Sequence, residues 1–218
     1  MPKLFVIWGC SGHAKVLTSI VNTQGGRVLA YFDNCKINSI NAEIPIYFGE
    51  AGFNTWINEQ KNLSKVKGLA AIGGRRGSDR VNILNIFRSA GLNLEPLIHP
   101  TAFVCNTAKL GEGSQVLAQA IVAADSKLGD VCIINHKASV DHECILGSGV
   151  HLAPGATICG CVTIGENVLV GAGAVILPRL TIGSNSIVGA GAVVTKNVAS
   201  GEVVMGNPAH SYVQRTGF

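Results

Sequence analysis

The second half of the chain runs on a six-residue cycle of hydrophobic and polar positions. Starting at Ile98, every sixth residue is aliphatic: Ile98, Val104, Leu110, Val116, Val122, Leu128, Ile134, Val140, Leu146, Leu152, Ile158, Ile164, Val170, Ile176, Ile182, Val188 and Val194. Four residues after the aliphatic the side chain is usually small, as at Ala102, Ala108, Ser114, Ala120, Ser126, Cys132, Ala138, Cys144, Ala156, Ala174, Ser186 and Ala192. Glycine directly follows the aliphatic at 111, 129, 147, 165, 171, 183 and 189. The Leu/Ile-Gly pair returns at 110, 128, 146, 164 and 182, a spacing of 18.

A period of six fits neither an α-helix nor a heptad, and a single alternating hairpin does not generate it. A coil with three flat faces does. Each six-residue unit supplies a short strand and a corner, and three units close one turn of 18 residues. The aliphatic fills the narrow interior, the small residue fits near the bend, and glycine is expected to relieve the backbone there. Successive turns then pair backbone to backbone at about 4.8 Å, giving one long core that needs caps.

The first half reads differently. Residues 3–8 (KLFVIW) predict a buried strand, Gly9-Cys10-Ser11-Gly12-His13 a tight turn, and Ala14 to about Asn22 a helix. Further strands are expected at Arg27–Asp33, Ile44–Phe48 and Lys67–Ile72, with helices near 51–60 and from Ser78-Asp79 to about Ala90. Strands alternating with helices imply a small parallel sheet of Rossmann type. The expected domains are therefore 1–97, Rossmann-like, and 98–218, a parallel β-helix with a C-terminal cap. The turn GCSGHA carries G-x-x-G and not the full dinucleotide fingerprint. It still places a helix N-terminus where backbone N–H groups can meet an anion, with Asp33 at the end of the next strand to hold a ribose or base.

The chain has 218 residues, of which 47% are hydrophobic and 14% charged, a balance that excludes disorder. A net charge of +4, with no basic runs interleaved with aromatics, gives no nucleic-acid footprint. The N-terminus lacks the pattern of a signal peptide and no stretch suits a membrane span, so a cytoplasmic protein is expected. The seven cysteines fit reduced thiols, and Cys159-Gly160-Cys161 has no matching second pair for a zinc site.

Six histidines are candidates for chemistry: His13, His99, His136, His142, His151 and His210. His142 lies two residues past an interior valine and outside the inward registers. Asp141 and Glu143 flank it, and either can accept an imidazole N–H and fix the tautomer. Gly160, 18 residues on, stacks over His142 one turn later, where a bare backbone N–H can face an oxyanion. Cys144 falls in the inward small register, which makes it a packing residue and not an acyl carrier.

The repeat over residues 98–210, ending in Val193-Val194-Thr195-Lys196-Asn197-Val198 and Gly206-Asn207-Pro208-Ala209, closely resembles the left-handed parallel β-helix of hexapeptide acyltransferases. The left hand comes from that resemblance alone, because generic parallel crossovers are right-handed in about 98% of cases. Joined to an α/β N-terminal half, the chain resembles bacterial sugar N- and O-acetyltransferases. Among these it is most like enzymes that acetylate the 4-amino group of UDP-linked 4-amino-4,6-dideoxy sugars, with sialic acid O-acetyltransferases in the same family.

The resemblance implies an acetyl-CoA-dependent N-acetyltransferase, acting by direct transfer as a homotrimer with acetyl-CoA between neighbouring coils and no metal. It implies His142 as general base with Glu143 as its partner, and Gly160 as the amide at the thioester carbonyl. Asn135, His151 and Gly160 then face acetyl-CoA. Gly9, Ser11, Gly12, His13, Lys15, Asp33, Ile72 and Gly73 hold the nucleotide-sugar. Gly74-Arg75-Arg76 departs from the polar residue usual after that glycine, which leaves the nucleotide open. The alternatives are O-acetylation of sialic acid or another sugar and, in a different class, a zinc-binding or non-catalytic β-helix trimer.

Overall fold

The computed structural model describes residues 2–212, and over these the chain divides into two units. One is Met1–Gly73 with Asp79–Glu95, the other Gly74–Ser78 with Pro96–Phe218. Residue 1 and the last six residues of the expected C-terminal cap, 213–218, lie outside the described residues.

The first unit is built on strands β1 (Leu4–Trp8), β2 (Arg27–Asp33), β3 (Ile46–Phe48) and β4 (Val66–Ala70). Helix α1 (Gly12–Thr23) links β1 to β2, α2 (Gly49–Asn58) follows β3, and α3 (Gly77–Ser89) follows β4. The strands are all parallel in the order β3-β2-β1-β4, so the chain reverses its winding direction between β1 and β4. This is the doubly wound arrangement that the alternation implied, with β3 and β4 each ending or starting one to two residues from the expected limits.

β1 is fully apolar because both of its faces are covered, and Phe5, Val6, Ile7 and Trp8 are all buried. Trp8 packs against Phe32 and Phe53 at 5.6 Å, and Phe32 meets Phe53 edge-on at 5.1 Å and 83°. Such tilted pairs add about 0.5–1.5 kcal/mol each beyond the area they bury. Gly68 is required in β4, since a Cβ there would stand 2.5 Å from the Phe87 ring.

The second unit is a parallel β-helix. Its strands from Leu97–Ile98 to Val193–Val194 are two residues long, the first pointing out and the second in. Among the described residues they form sheets of five, eight and six strands, parallel except for the closing pair Val203–Met205 and His210–Ser211. From Leu97–Ile98 to Val193–Val194 the register step is 18 residues, so Val140 pairs with Val122 on one side and Ile158 on the other, and the closing step from Ile187 to Val203 shortens to 16. The aliphatic series is the core, completely or nearly completely buried from Val116 to Val194. Where the small residue carries a hydroxyl or thiol, that group donates to a backbone carbonyl: 15 residues ahead for Ser114 to Gly129 (3.0 Å) and Cys144 to Cys159 (3.2 Å), three residues back for Ser186 to Gly183 (2.7 Å). A polar atom can therefore sit in the coil interior without remaining unpaired.

The role expected for the glycines after the aliphatic is corrected. None of Gly111, Gly129, Gly147, Gly165, Gly171 or Gly183 has a positive φ. A Cβ at Gly111 would stand 2.3 Å from the Gly129 carbonyl carbon, and one at Gly183 2.3 Å from the Ser200 nitrogen. These glycines let one coil lie close against the next. The left-handed corner comes two residues later, at every sixth position from Gly113 to Gly191, and it accepts even Val131 at φ 49°. The cost of that conformation is offset because, from Gln119 to Gly191, each corner N–H donates to the previous coil: Glu143 to Ala124 at 2.9 Å, Cys161 to His142 at 2.9 Å.

Candidate active site

The strand Ser139–Val140 ends with Val140 buried in the coil, and the chain then turns over Asp141, His142 and Glu143. His142 is thus a corner residue with half of its side chain exposed, 52%. The two neighbouring carboxylates divide the work. Asp141 Oδ1 accepts the backbone N–H of His142 at 2.8 Å, which stiffens the corner. Glu143, at φ 57°, turns its side chain back so that Oε2 lies 3.0 Å from His142 Nδ1. The geometry therefore assigns the imidazole partner that the sequence left open between Asp141 and Glu143. With Nδ1–H donating to Glu143, the lone pair rests on Nε2.

Nε2 stands directly over Gly160. A Cβ on Gly160 would lie 2.5 Å from Nε2 and 2.7 Å from Cε1, so no other residue fits under the ring. The Gly160 carbonyl accepts from the Arg179 N–H at 3.1 Å. Among the described residues, the buried Gly160 N–H makes no hydrogen bond. A base and a bare amide therefore meet at one corner, an arrangement suited to removing a proton from a nucleophile while an oxyanion forms beside it.

Asn135 and His151 come together on another face of the coil, with Asn135 Nδ2 3.2 Å from His151 Nε2. Asn135 Oδ1 in turn accepts the His136 N–H at 2.8 Å. His151 opens the strand His151–Leu152 and is buried, 7% exposed. The segment 74–78 covers it, with the Gly74 nitrogen 2.8 Å from Nδ1. That segment lies close enough that a Cβ on Gly77 would stand 2.4 Å from the Gly149 oxygen. Nothing in the six-residue pattern signals this cover, because it comes from the loop after β4.

In the first unit, the turn residues, Asp33 and Ile72 gather at the carboxyl ends of β1, β2 and β4, where open α/β sheets bind ligands. Gly9, at φ 100°, comes so close to Ala71 that a Cβ would lie 2.6 Å from its oxygen. Its N–H donates to Phe32 at 2.7 Å. Ser11 is the N-cap of α1 without a side-chain cap bond, and Gly12, His13 and Lys15 form the first turn, which contains no acid. Asp33 has a structural task that the sequence did not reveal: Oδ2 accepts the Cys10 N–H at 2.8 Å and Oδ1 the Cys35 N–H at 2.9 Å. Sequence reasoning also missed Arg80, completely buried, whose Nη1 donates to the Ile72 carbonyl at 2.9 Å and sets the loop leading to Gly73.

Cys144 is buried, and desolvation pushes its thiol up to about 11, so it is a poor nucleophile near neutral pH. No helix among the described residues is long and apolar enough to cross a membrane.

Comparison with known proteins agrees with both halves. Residues 4–80 match the PglD N-terminal domain and residues 161–196 the bacterial transferase hexapeptide (six repeats). PerB of Caulobacter crescentus, solved with CoA and GDP-perosamine, is 33% identical, with 96% of this chain and 97% of that one covered and a TM-score of 0.87. The acetyltransferase domain of PglB from Neisseria gonorrhoeae, solved with acetyl coenzyme A, is 33% identical over 97% of this chain and 100% of that one, at 0.86. WeeI of Acinetobacter baumannii is 25% identical over 96% and 99%, at 0.84. The coil is accordingly left-handed, the sense that general crossover preferences disfavour. With a third of its residues shared across nearly the full length of two of these enzymes, the chain belongs to the hexapeptide-repeat family of bacterial sugar acetyltransferases.

Proposed function

We propose that the chain moves the acetyl group of acetyl-CoA onto the 4-amino group of a nucleotide-linked 4-amino-4,6-dideoxy sugar, with His142 as general base. The observation that carries this reading is the His142–Glu143 pair set over Gly160. The substrate class is supported by the relatives solved with CoA and GDP-perosamine or with acetyl coenzyme A.

The amine nitrogen attacks the thioester carbon as Nε2 of His142 takes its proton. Glu143 stabilises the imidazolium through Nδ1–H. The thioester oxygen gains negative charge, which the Gly160 N–H steadies. Collapse of the tetrahedral intermediate expels the CoA thiolate, and His142 returns the proton to that sulfur. The acetyl group never rests on the protein, in keeping with the burial of Cys144. A positioned base contributes about 10²–10⁴-fold and an oxyanion donor a comparable amount.

Gly9, Ser11, Gly12, His13, Lys15, Asp33, Ile72 and Gly73 hold the nucleotide-sugar, and Asn135 and His151 contact acetyl-CoA. The enzyme works as a homotrimer. In support, Phe103 and Ile121 are register partners on one sheet, 59% and 44% exposed, an apolar row that a second coil would cover. A cytoplasmic setting suits the free cysteines and the supply of acetyl-CoA.

The deciding experiment is thiol release from acetyl-CoA against UDP-, dTDP- and GDP-linked 4-amino sugars and their 4-hydroxy counterparts. Turnover confined to amino sugars is expected. Turnover only with hydroxy sugars or free sialic acid would replace N-acetylation with O-acetylation.

A further inference from the structure

One residue at the His142 corner is given no role by the proposed acetyl transfer. Cys161 sits one coil beyond Glu143, and both occupy the left-handed corner position, at φ 60° and 57°. Cys161 Sγ is 3.7 Å from Glu143 Oε2, and that oxygen is 3.0 Å from His142 Nδ1. One ligating atom from each of His142, Glu143 and Cys161 lies within 4.8 Å of the others. Around a tetrahedral zinc ion, with bonds of about 2.0–2.3 Å, ligand atoms stand about 3.3–3.7 Å apart. The three side chains already approximate one triangular face of such a tetrahedron. His142 and Glu143 are 52% and 62% exposed, so small rotations can complete the face without disturbing the core.

The donor set also selects the metal. An imidazole nitrogen, a carboxylate oxygen and a thiolate suit zinc, whereas magnesium and calcium prefer oxygen alone. Three protein ligands on an exposed corner leave the fourth position to water.

We propose that His142, Glu143 and Cys161 form a zinc(II) site, and that filling it switches acetyl transfer off. The inhibitory part rests on the reading of His142 as the general base. Zinc replaces the proton between Nδ1 and Oε2. The imidazole remains neutral, so its single proton moves to Nε2, the nitrogen that must accept the proton of the amine. Cys161 gives up its thiol proton to solvent as the zinc–sulfur bond forms, and no electron is transferred. The base thereby becomes a donor, and Glu143, bound to metal, no longer stabilises an imidazolium.

The test uses the full-length enzyme treated with a chelator and then titrated with cobalt(II), which reports its ligands by absorption. One cobalt per chain with a thiolate-to-cobalt charge-transfer band, displaced by zinc, is expected. Zinc should stop turnover and a chelator restore it. Cys161→Ser should turn over normally without metal, lose the band, and need at least about tenfold more zinc for half-inhibition, since even lost outer-shell partners cost 10–100-fold in affinity. Cobalt bound without the thiolate band, or equal zinc inhibition of wild type and Cys161→Ser, would overturn the site. Normal turnover of His142→Asn would instead remove the general-base reading, and the cobalt titration would still report whether the site binds metal.

Discussion

His142 and Gly160 are paired by the absence of a single carbon: a Cβ on Gly160 would lie 2.5 Å from His142 Nε2. Gly160 has no positive φ, so alanine is allowed there by its own backbone and excluded only by the ring above it. The ring is half exposed and can swing outward. Gly160→Ala should therefore fold with a melting temperature near that of the parent and lose about 10²-fold or more in kcat, the scale of a misplaced base. Full activity would mean that the ring position over Gly160 is not the working one.

His142→Ala should lower kcat by about 10²–10⁴ and leave acetyl-CoA affinity nearly unchanged. The side chain lies outside the core, so no cavity opens and the fold survives. Residual activity should rise with pH, because a growing fraction of the sugar amine is already neutral. Glu143→Gln should fall between this variant and the parent, while Asp141→Asn, which touches only the His142 backbone N–H, should stay close to the parent. Steady-state rates measured across pH decide each case.

Asp33→Ala should do two things at once. It strips the Cys10 and Cys35 N–H groups of their acceptor, a loss of about 1–3 kcal/mol read from the denaturation midpoint. It should also raise KM for the nucleotide-sugar far more than for acetyl-CoA, because its place is on the first unit's sheet. Equal increases in both KM values would contradict the division of labour between the two units.

Ile121→Glu places a charge in the exposed apolar row beside Phe103. The coil interior is untouched, since Val122 is the residue that points inward. The expected outcome is a shift of solution mass from trimer to monomer, with KM for acetyl-CoA raised. An active monomer of the parent protein would refute the trimer.

Cys144 yields a pH prediction. Burial raises its thiol from 9.0 to about 11, so on raising the pH the unfolded chain loses this proton first. Stability from this group is complete below pH 9 and is lost as the pH climbs through about 11. Cys144→Ala, the residue type found six positions before at Ala138, should remove that part of the alkaline decline in denaturation midpoint. It should also leave turnover unchanged, as expected of a thiol that carries no acyl group.

The sequence by itself determined the architecture of the coil. A side chain that must enter a narrow interior once per strand imposes a period of six, and closure after three strands imposes 18, so Val140, His142 and Gly160 could be placed relative to one another before any coordinates. β1 and β2 were equally legible, from unbroken apolar runs ending in a turn. Tertiary structure decided what periodicity does not encode. The glycines after each aliphatic turned out to clear room for the next coil, a matter of distance between turns and not of φ. Glu143 was chosen over Asp141 because its left-handed backbone turns the side chain toward Nδ1, while Asp141 reaches only a backbone N–H. His151 became buried because a loop from between β4 and α3 lies over its strand. Asp33 and the buried Arg80 hold backbone groups of neighbouring loops. A repeat reports what each residue meets along its own coil. Contacts made by a distant loop, or by two carboxylates competing for one ring, depend on where the whole chain comes to rest.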